Sequence, residues 1–402
     1  MSTRLLLVST LSGCAIATVL LLACASDAPV LPETPPGPTS LPEAGSDAVA
    51  EDADAAPCAD CEYFPETCSG DVLCANGLFT PNGDNGLDMR AQINVVRGRA
   101  PNDVWAVGAL GAAAHFDGTS WAPSDLGRRE TLRALWLQPS AEVTFGTLDS
   151  IYTRGLPIAD ADAASPSPGG WTAHGPAEVS SDSDPSGVKV TSAWSASGSH
   201  WLWCGTMTWN AGTTSGLWRL RISAEGKPQV ADGIPAAFCV DLPCSQVTSI
   251  HGSSANDLWA VGYRGAAVRV TGADGDAPTM KASDTQTWDA LYGVWMASES
   301  EAWAVGANGT VRHHSGNDLA WEIVSGVPTT EDLRAVWGSS PSDIWAVGNT
   351  GVALHYDGTS WSRVKIAGLG SRRPDLTTVW MPEPGHVWIG GHGVILSLGG
   401  KP

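Results

Sequence analysis

Short apolar runs alternate with small clusters of glycine, serine, asparagine and aspartate along most of the chain. The pattern is clearest at residues 333–364, where the apolar runs LRAVW, IWAV and VALHY are separated by GSSPSD and GNTG, and DGTS leads into WSRVK. Apolar runs this short are typical of strands rather than helices. Clusters rich in Gly, Asn and Asp are typical of tight turns, because these residues tolerate a positive φ. The segment therefore predicts four antiparallel strands in one twisted sheet.

The same pattern recurs from residue 93 to the end of the chain. DVWAVG begins at Asp103, DLWAVG at Asp257, EAWAVG at Glu301 and DIWAVG at Asp343. The first strand of each unit is predicted to start at Ile93, Leu132, Val190, Val247, Leu291, Leu333 and Leu376. Four strands in a period of about 40–45 residues are typical of a β-propeller blade. Residues 76–402 are therefore predicted to form an all-β domain, a seven-bladed β-propeller of four-stranded antiparallel blades.

The last unit supplies only three strands, LTTVW, HVWIG and GVILSL, before the chain stops at Pro402. A three-stranded last blade would leave an open sheet edge at the ring junction. We therefore expect a strand from the start of the domain, within residues 76–92, to complete this blade.

The N-terminus has the features of an export signal. MSTR is followed by a long apolar run that ends in LLAC at Cys24. This ending resembles the bacterial lipobox, so residues 1–23 are predicted to be a lipoprotein signal peptide and Cys24 the lipidated residue. A plain signal peptide or a transmembrane anchor remains an alternative. Residues 24–57 are rich in Pro, Ala, Asp and Glu and contain no aromatic residue, which predicts a disordered tether.

Residues 58–75 form a small cysteine-rich segment. It contains Cys58, Cys61, Cys68 and Cys74, which in an oxidising compartment predict a knot of two disulfides. The spacing of Cys58 and Cys61 leaves a zinc site as an alternative. Cys239 and Cys244 are expected to form a bridge within a loop, and Cys204 is then a buried thiol or the partner of one of them.

The repeated unit DxWAVGxxGxxxHYDGxxW resembles that of myxobacterial secreted and lipoprotein propellers. It is also similar, more loosely, to the photosystem II assembly-factor propellers and to Asp-box repeats. The resemblance covers about residues 93–400. Some proteins of this kind are labelled as type IV pilus biogenesis or tip-adhesin proteins. Because one fold supports many functions, the resemblance implies the propeller and does not fix the activity.

Most of the tryptophans recur at fixed places in the repeat, which predicts packing between blades. Trp201, Trp203 and Trp209 fall outside the pattern and are candidates for a ligand-facing role. A histidine also recurs, and we expect it to be a polar residue near a strand end and not a metal ligand. The histidines of this set are His115, His313 and His355.

No metal site or cofactor is predicted, apart from a weak candidate for structural calcium. Asn82, Asp84 and Asp88 place oxygen atoms at nearby positions, as Ca²⁺ loops do, without completing the full pattern. Two intervals between blade starts are longer than the others. They predict long loops at residues 155–189 and 205–246, where propellers usually carry recognition.

The formal net charge of −20 argues against nucleic acid as a partner, since phosphate binding requires clustered Lys and Arg. No hydrolase, metalloprotease or phosphate-loop motif is present in the sequence. We therefore expect a non-enzymatic, monomeric lipoprotein at the outer membrane or cell surface that binds a protein or carbohydrate. The alternatives are an envelope polysaccharide hydrolase or lyase with an axial site, and a structural envelope or pilus component. An enzyme of that kind should bring carboxylates or three arginines together at the propeller axis.

Overall fold

The described residues form a ring of seven sheets, each built on four antiparallel strands, the blades of a β-propeller. In blades 3 and 7 a fifth strand adds in parallel to the edge. The computed structural model describes residues 60–156, 165–175, 178–179, 184–208, 215–240, 243–317 and 319–400. The predicted signal peptide, Cys24 and the predicted tether lie outside this part of the chain. Within it, no helix has both the length and the hydropathy needed to cross a membrane.

The described part of the chain opens with a short 3-10 turn at Cys61–Tyr63 and reaches the first blade after three short strands. The strands before and in the first three blades are β1 Leu73–Ala75, β2 Phe79–Thr80 and β3 Leu87–Asp88; β4 Ile93–Ala100, β5 Asp103–Gly108, β6 Ala113–Phe116 and β7 Trp121–Pro123 in blade 1; β8 Ala134–Gln138, β9 Ala141–Thr147, β10 Ser150–Arg154 and β11 Thr172–His174 in blade 2; and β12 Glu178–Val179, β13 Val190–Trp194, β14 Leu202–Thr206, β15 Leu217–Ile222 and β16 Pro228–Asp232 in blade 3.

The remaining four blades follow the repeat closely. Their strands are β17 Val247–Ser254, β18 Asp257–Gly262, β19 Ala267–Thr271 and β20 Thr279–Ala282 in blade 4; β21 Leu291–Ser298, β22 Glu301–Gly306, β23 Val311–His314 and β24 Glu322–Ile323 in blade 5; β25 Leu333–Ser340, β26 Asp343–Gly348, β27 Ala353–Tyr356 and β28 Trp361–Arg363 in blade 6; and β29 Ile366–Ala367, β30 Leu376–Glu383, β31 His386–Gly391 and β32 Val394–Leu398 in blade 7. Short 3-10 turns occur at Ala109–Gly111, Ala236–Val240, Tyr263–Gly265, Ala307–Gly309 and Asn349–Gly351. Six of the seven predicted blade starts are confirmed, and blade 2 begins two residues later than predicted, at Ala134.

The ring closes through the cysteine-rich segment. Strand β1 pairs antiparallel with β32 and parallel with β29, so that it completes blade 7. A strand from before blade 1 does complete blade 7, as predicted. The predicted position of this strand, within residues 76–92, is wrong, because the strand lies at Leu73–Ala75. Leu73, fully buried at 0 % exposure, fills the position that an apolar strand must supply. The sequence pattern did not reveal this because the apolar run here, Val72–Leu73–Cys74, lies between two cysteines.

A β-bulge recurs in the first strand of six blades. Ile93 pairs with Gly108 and Val95 with Val107, so Asn94 is the extra residue. A bulge re-aims the side chain of the extra residue. Here the bulge residue and the next residue both line the axis of the ring. The bulge residues of the six blades are Asn94, Thr191, Thr248, Tyr292, Arg334 and Thr377.

Four of these bulge side chains connect one blade to the next. Each donates a hydrogen bond to the main-chain oxygen of the residue that begins the following first-strand pattern. The bonds run from Asn94 Nδ2 to Leu132 O (2.8 Å), from Thr191 Oγ1 to Val247 O (2.7 Å), from Thr248 Oγ1 to Leu291 O, and from Thr377 Oγ1 to Ile93 O. These bonds hold the inner strands in register around the axis.

The recurring tryptophans pack between blades, as predicted. A tryptophan at or next to the fourth strand meets, edge to face, the WAVG tryptophan of the preceding blade, with ring centres 5.1–5.6 Å apart in three such pairs. These pairs are Trp171 with Trp105, Trp121 with Trp388, and Trp321 with Trp259. The tryptophan of the first strand packs on a glycine of the next blade. A Cβ atom at Gly98 would lie 2.5 Å from Trp380, and one at Gly338 would lie 2.7 Å from Trp295.

Short strands interrupt the two predicted long loops. Residues 205–246 contain β15 and β16, the third and fourth strands of blade 3, and residues 155–189 contain β11. The extra length is therefore divided among several shorter connections. One of them, at residues 233–246, contains the Cys239–Cys244 disulfide.

The cysteines follow the predicted disulfide chemistry. Cys68 is bonded to Cys74 and Cys239 to Cys244. Cys61 is also disulfide-bonded, and Cys58 lies outside the described residues. Cys204 is a free thiol buried between blades, and burial raises its pKa. A thiol in this state is a packing group and not a nucleophile.

Candidate functional site

Two cavities lie on the axis of the propeller. The first, of about 250 Å³, is a narrow channel between the inner strands and is lined by the bulge residues and their neighbours. The second, of about 680 Å³, lies at the end of the channel where first strands connect to second strands. Its rim is formed by these connections in blades 1–3, at residues 98–99, 137–139 and 195–199. We call this second space the axial cavity.

The fifth residue of the first-strand pattern forms the wall and floor of the axial cavity. This residue is tryptophan in five blades: Trp136, Trp194, Trp295, Trp337 and Trp380. Blades 1 and 4 carry Arg97 and His251 in its place. Arg97, His251 and four of the five tryptophans line the cavity. Arg97 and His251 are thus the two polar residues at a position that is tryptophan in the other five blades.

Trp337 joins the polar pair at the axis. The guanidinium carbon of Arg97 lies 4.2 Å from the centre of the Trp337 ring, within cation–π range. The His251 ring meets the same indole edge to face, with ring centres 4.8 Å apart. Since these three residues come from blades 1, 4 and 6, their contact spans the axis. Arg97 and His251 line both the channel and the axial cavity.

Arg97 is a cation without a carboxylate partner among the described residues. Its Nη1 donates to the main-chain oxygens of Val96 (2.7 Å) and Val379 (3.3 Å). Its Nε and Nη2 make no hydrogen bond within the described part of the chain. Burial lowers the pKa of Arg97 to about 10, which still leaves it charged at neutral pH. Arg97 is half-buried, and a partly desolvated charge without a partner favours an added anion.

His251 is neutral and oriented. Its Nδ1 accepts the main-chain N–H of Met296 at 3.1 Å. Burial lowers the pKa of His251 to about 3, and the nearby charge of Arg97 lowers it further in the same direction. With Nδ1 as acceptor, the neutral ring carries its proton on Nε2. Both polar groups of the cavity floor are therefore hydrogen-bond donors.

The electrostatics of the axis oppose those of the whole molecule. The chain has 42 Asp and Glu residues against 22 Lys and Arg. Yet none of the residues that line either axial space, all of them in the described part of the chain, is Asp or Glu. Arg97, Arg133 and Arg334 line the channel instead. The lining of the axis thus carries arginines and no carboxylate in an acidic protein, although Arg133 is exposed and Arg334 pairs with Asp332 at 3.1 Å.

Among the predicted ligand-facing tryptophans in the described part of the chain, Trp201 lies at an open cavity. A space of about 710 Å³ on blade 3 is lined by Trp136, Trp201, Arg221 and Asp274, among others. The guanidinium carbons of Arg219 and Arg221 lie 4.6 and 4.8 Å from the Trp201 ring centre. This space shares Trp136, Gln138 and Ser199 with the axial cavity.

The prediction for Trp203 is wrong. Trp203 is 2 % exposed, and its Nε1 donates to Ala273 O at 3.0 Å. It pairs with Arg219 across β14 and β15 as Trp105 pairs with His115 across β5 and β6. It is therefore the repeat tryptophan of blade 3, hidden in the sequence because Trp201 replaces the usual aspartate. Trp209 lies outside the described residues.

The recurring histidines have a structural place. His115 Nε2 lies 2.8 Å from Asp103 Oδ1, and the ring stacks on Trp105 with centres 4.6 Å apart. The same arrangement holds for His313 with Glu301 and for His355 with Asp343. In blade 4, Arg269 takes the histidine position and binds Asp257. The described residues contain no cluster of three His, Cys, Asp or Glu able to hold a metal ion.

The calcium candidates do not form a negative site. Asn82 and Asp84 are exposed, and the carboxylate of Asp88 is held by Arg90 Nε at 3.0 and 3.1 Å. This contact lowers the pKa of Asp88 to about 2. Arg90 and Arg129 line the same space as Asn82 and Asp88. Two arginines beside one carboxylate disfavour a divalent cation.

Sequence reasoning missed Arg97 and His251, although a signal was present. Both residues break the tryptophan pattern at the fifth position of the first strand. In a repeat protein, a polar residue at an axial position that is otherwise tryptophan indicates that the position does more than pack the blades. The counterpart signal for Tyr292 and Arg334 was not available, because the bulge that turns them to the axis leaves no pattern in the sequence.

The fold resembles solved propellers, at low sequence identity. A structure described as YCF48 bound to D1 peptide has a TM-score of 0.55 and 14 % identity, and the match covers 83 % of this chain and 96 % of that one. YCF48 from Cyanidioschyzon merolae has a TM-score of 0.57 and 13 % identity over 78 % of this chain and 97 % of that one. The extracellular domain of the putative hybrid two-component system BT3049 from B. thetaiotaomicron has a TM-score of 0.55 and 12 % identity. That match covers 82 % of this chain and 42 % of the other.

These likenesses agree with the looser resemblance to photosystem II assembly-factor propellers at the level of the fold. No protein-family model and no curated protein matches the sequence. The resemblance to myxobacterial lipoprotein propellers stays a prediction. The comparisons therefore show a β-propeller and leave its activity to be argued from the site.

Proposed function

We propose that this chain is a non-enzymatic, exported lipoprotein whose propeller binds a protein partner at the bacterial cell envelope. The axial cavity and the connections around its rim form the binding surface. The observation that carries this proposal is the cavity itself: an aromatic wall around the donors Arg97 and His251, with no Asp or Glu among its lining residues. A concave, largely apolar space with a few convergent polar groups is the usual form of a ligand site.

The similarity to a propeller described as bound to a peptide supports a protein as the partner. A carbohydrate partner is less well matched. Sugars present many hydroxyl groups, and a site for them needs acceptors as well as donors. The cavity offers Arg and His donors and mainly Trp, Leu, Ala and Pro walls, with serines and one glutamine at the rim.

The membrane anchor is a separate part of this proposal and rests on the sequence. Cys24 follows an apolar run and would carry the lipid, and residues 25–57 would separate the propeller from the membrane. The substitution Cys24→Ser tests it. We expect the full chain to fractionate with membranes and the variant to be released as soluble or unprocessed protein. Equal membrane fractionation of both would contradict the lipid anchor.

The binding function is tested by capture from envelope extracts with the full chain as bait. Trp136→Ala changes a residue that lines both the axial cavity and the adjoining space on blade 3. Trp288→Ala, 83 % exposed and not among the residues that line either space, is the control. We expect one partner that the parent and the Trp288 variant retain and the Trp136 variant loses. A partner retained equally by all three would place binding elsewhere, and the absence of any partner would count against the function.

A polysaccharide lyase or hydrolase is the second candidate, because three arginines line the channel. A hydrolase needs a pair of carboxylates, and the channel lining has none. A lyase could use Tyr292, which lies 4.5 Å from the Arg334 guanidinium carbon. Burial, however, raises the pKa of Tyr292, which makes the phenol a poorer base at neutral pH. Release of unsaturated uronate from acidic polysaccharides, lost in Tyr292→Phe, would favour the lyase over the binding protein.

A further inference from the structure

The floor of the axial cavity shows what kind of group it would receive. Arg97 Nε and Nη2 and the His251 Nε2 proton are donors that have no acceptor among the described residues. The nearest aromatic surfaces are those of Trp337 and Trp194, which touch His251, with Trp337 also beneath Arg97. A ligand that satisfies this floor must bring an acceptor, and a negative one is favoured by the unpaired guanidinium. A carboxylate matches an arginine fork with two parallel hydrogen bonds.

The apolar wall of the axial cavity indicates which chemical group should lie next to the carboxylate of the ligand. Leu135, Leu202 and Ala193 continue the apolar surface beyond the indoles. An apolar or aromatic side chain next to the carboxylate would bury area here, at a gain of roughly 25 cal/mol per Å². Highly hydroxylated groups would lose hydrogen bonds to water without replacement.

The shape of the site favours a chain end. Inner strands of the blades surround the axis, so the cavity opens at one end of the ring and narrows into the channel of about 250 Å³. An internal Asp or Glu could enter only if the chain on both sides of it turned back at the rim. The last residue of a polypeptide carries its carboxylate and its side chain on the same Cα, and only one chain segment has to leave.

We propose that the axial cavity binds the C-terminal carboxylate of a partner polypeptide whose last residue is apolar or aromatic, with Arg97 and His251 as the carboxylate donors. This proposal deepens the protein-binding function and rests on it. Arg97 holds the carboxylate through its free Nε and Nη2, while Trp337 fixes the guanidinium plane. His251, kept in one tautomer by Met296 N–H, donates from Nε2. The last side chain lies against the tryptophan wall.

The experiment uses two acetylated probes, Ac-Gly-Ser-Leu-Phe with a free carboxylate and the same peptide as the C-terminal amide. Binding to the full chain is measured by titration calorimetry and by quenching of tryptophan fluorescence. We expect the free acid to bind and the amide to bind at least about 10-fold more weakly, since the amide leaves the charge of Arg97 unpaired. Equal affinities, or no binding of the acid up to about 1 mM, would overturn the proposal.

Variants identify the site. Arg97→Gln should lose at least about 10-fold in affinity for the acid and lose the preference for acid over amide. Arg97→Lys keeps the charge without the fork and should retain part of that preference, which guards against a folding defect in the glutamine variant. Arg264→Gln, an exposed arginine in a turn between second and third strands, is the matched control and should bind as the parent does. If Arg97→Gln binds the acid as the parent does, the assignment is wrong.

Two further outcomes separate this inference from the broader function. If a partner captured from envelope extracts binds Arg97→Gln as well as the parent, protein binding stands and the carboxylate anchor is wrong. If oligogalacturonate binds the parent more tightly than the acid peptide does and loses affinity in Arg97→Gln, the cavity serves acidic glycans and both proposals are overturned.

Discussion

At the scale of single residues, the joints between blades depend on paired indoles. Trp321, in blade 5, has no exposed surface and packs against Trp259 of blade 4 with ring centres 5.1 Å apart. Removing the side chain leaves a cavity between two rigid sheets, which cannot collapse to fill it. The indole contributes through buried area and ring geometry, since the described residues offer its Nε1 no hydrogen-bond partner.

We therefore expect Trp321→Ala to lower the free energy of unfolding by about 3–5 kcal/mol. Trp288→Ala is the control, because this residue is 83 % exposed and should change stability by less than about 0.5 kcal/mol. Urea unfolding followed by far-ultraviolet circular dichroism measures both. Similar midpoints for the two variants would show that the indole pairs do not hold the blades together.

His251 gives the axis a pH dependence. Its pKa in the folded protein is about 3, below the ordinary value of 6.5. Between these two pH values the unfolded chain binds a proton that the folded chain does not. The free energy of unfolding should therefore decrease as the pH falls from 6.5 toward 3, by up to about 1.4 kcal/mol per pH unit. Above pH 6.5 this contribution is constant.

The variant His251→Gln isolates this effect, because glutamine can accept the Met296 N–H without titrating in this range. We expect the parent to lose stability more steeply than the variant between pH 6.5 and pH 4, measured by urea unfolding at each pH. Titrating carboxylates elsewhere affect both proteins and cancel in the comparison. Parallel stability curves in that interval would mean that His251 is protonated in the folded state.

At the scale of elements, closure of the ring depends on a strand of three residues. Strand β1 brings Leu73 against β32, and Val72, Cys74 and Phe64 are also buried in the same region. Asp60 binds Arg373 at 2.8 and 3.2 Å, and Arg373 lies 3.5 Å from the Phe64 ring centre. Through these contacts, the cysteine-rich segment forms part of blade 7.

A chain that begins at residue 76 should be much less stable than one that begins at residue 57. Losing two or three buried apolar side chains, at about 1.5–3 kcal/mol each, predicts a loss on the order of 5 kcal/mol. The exposed edge of β32 should also promote aggregation. Thermal unfolding and size-exclusion chromatography of the two chains test this. Identical melting temperatures would show that blade 7 does not need β1.

Elements with a regular period could be predicted from the sequence, and irregular ones could not. The WAVG strands and their turns repeat, so blade number and six blade starts follow from the pattern. The WAVG motif of blade 3 was hidden because Trp201 and Cys204 replace residues of the repeat. The closing strand is separated from its partner by most of the chain, and no local pattern reports such a pairing. The bulges, and hence the axial positions of Tyr292 and Arg334, depend on register and not on composition.

At the scale of the whole molecule, the binding site lies inside an acidic body. The net charge of −20 repels an anionic ligand at long range, whereas Arg97 attracts it at contact. Salt screens the first interaction strongly, since the Debye length falls from about 30 Å at 0.01 M to about 8 Å at 0.15 M. The contact at Arg97 is enclosed and is screened far less.

The association rate of the free-acid peptide should therefore increase when ionic strength rises from about 0.01 M to about 0.15 M, while its dissociation rate changes little. The uncharged amide peptide provides the control and should show no such increase. A third peptide, preceded by three lysines, should behave in the opposite way and associate more slowly as salt is added. Stopped-flow tryptophan fluorescence measures all three. An acid peptide that associates more slowly in salt would mean that the arginines of the axis dominate the field outside the cavity, and that anionic partners are drawn in from a distance.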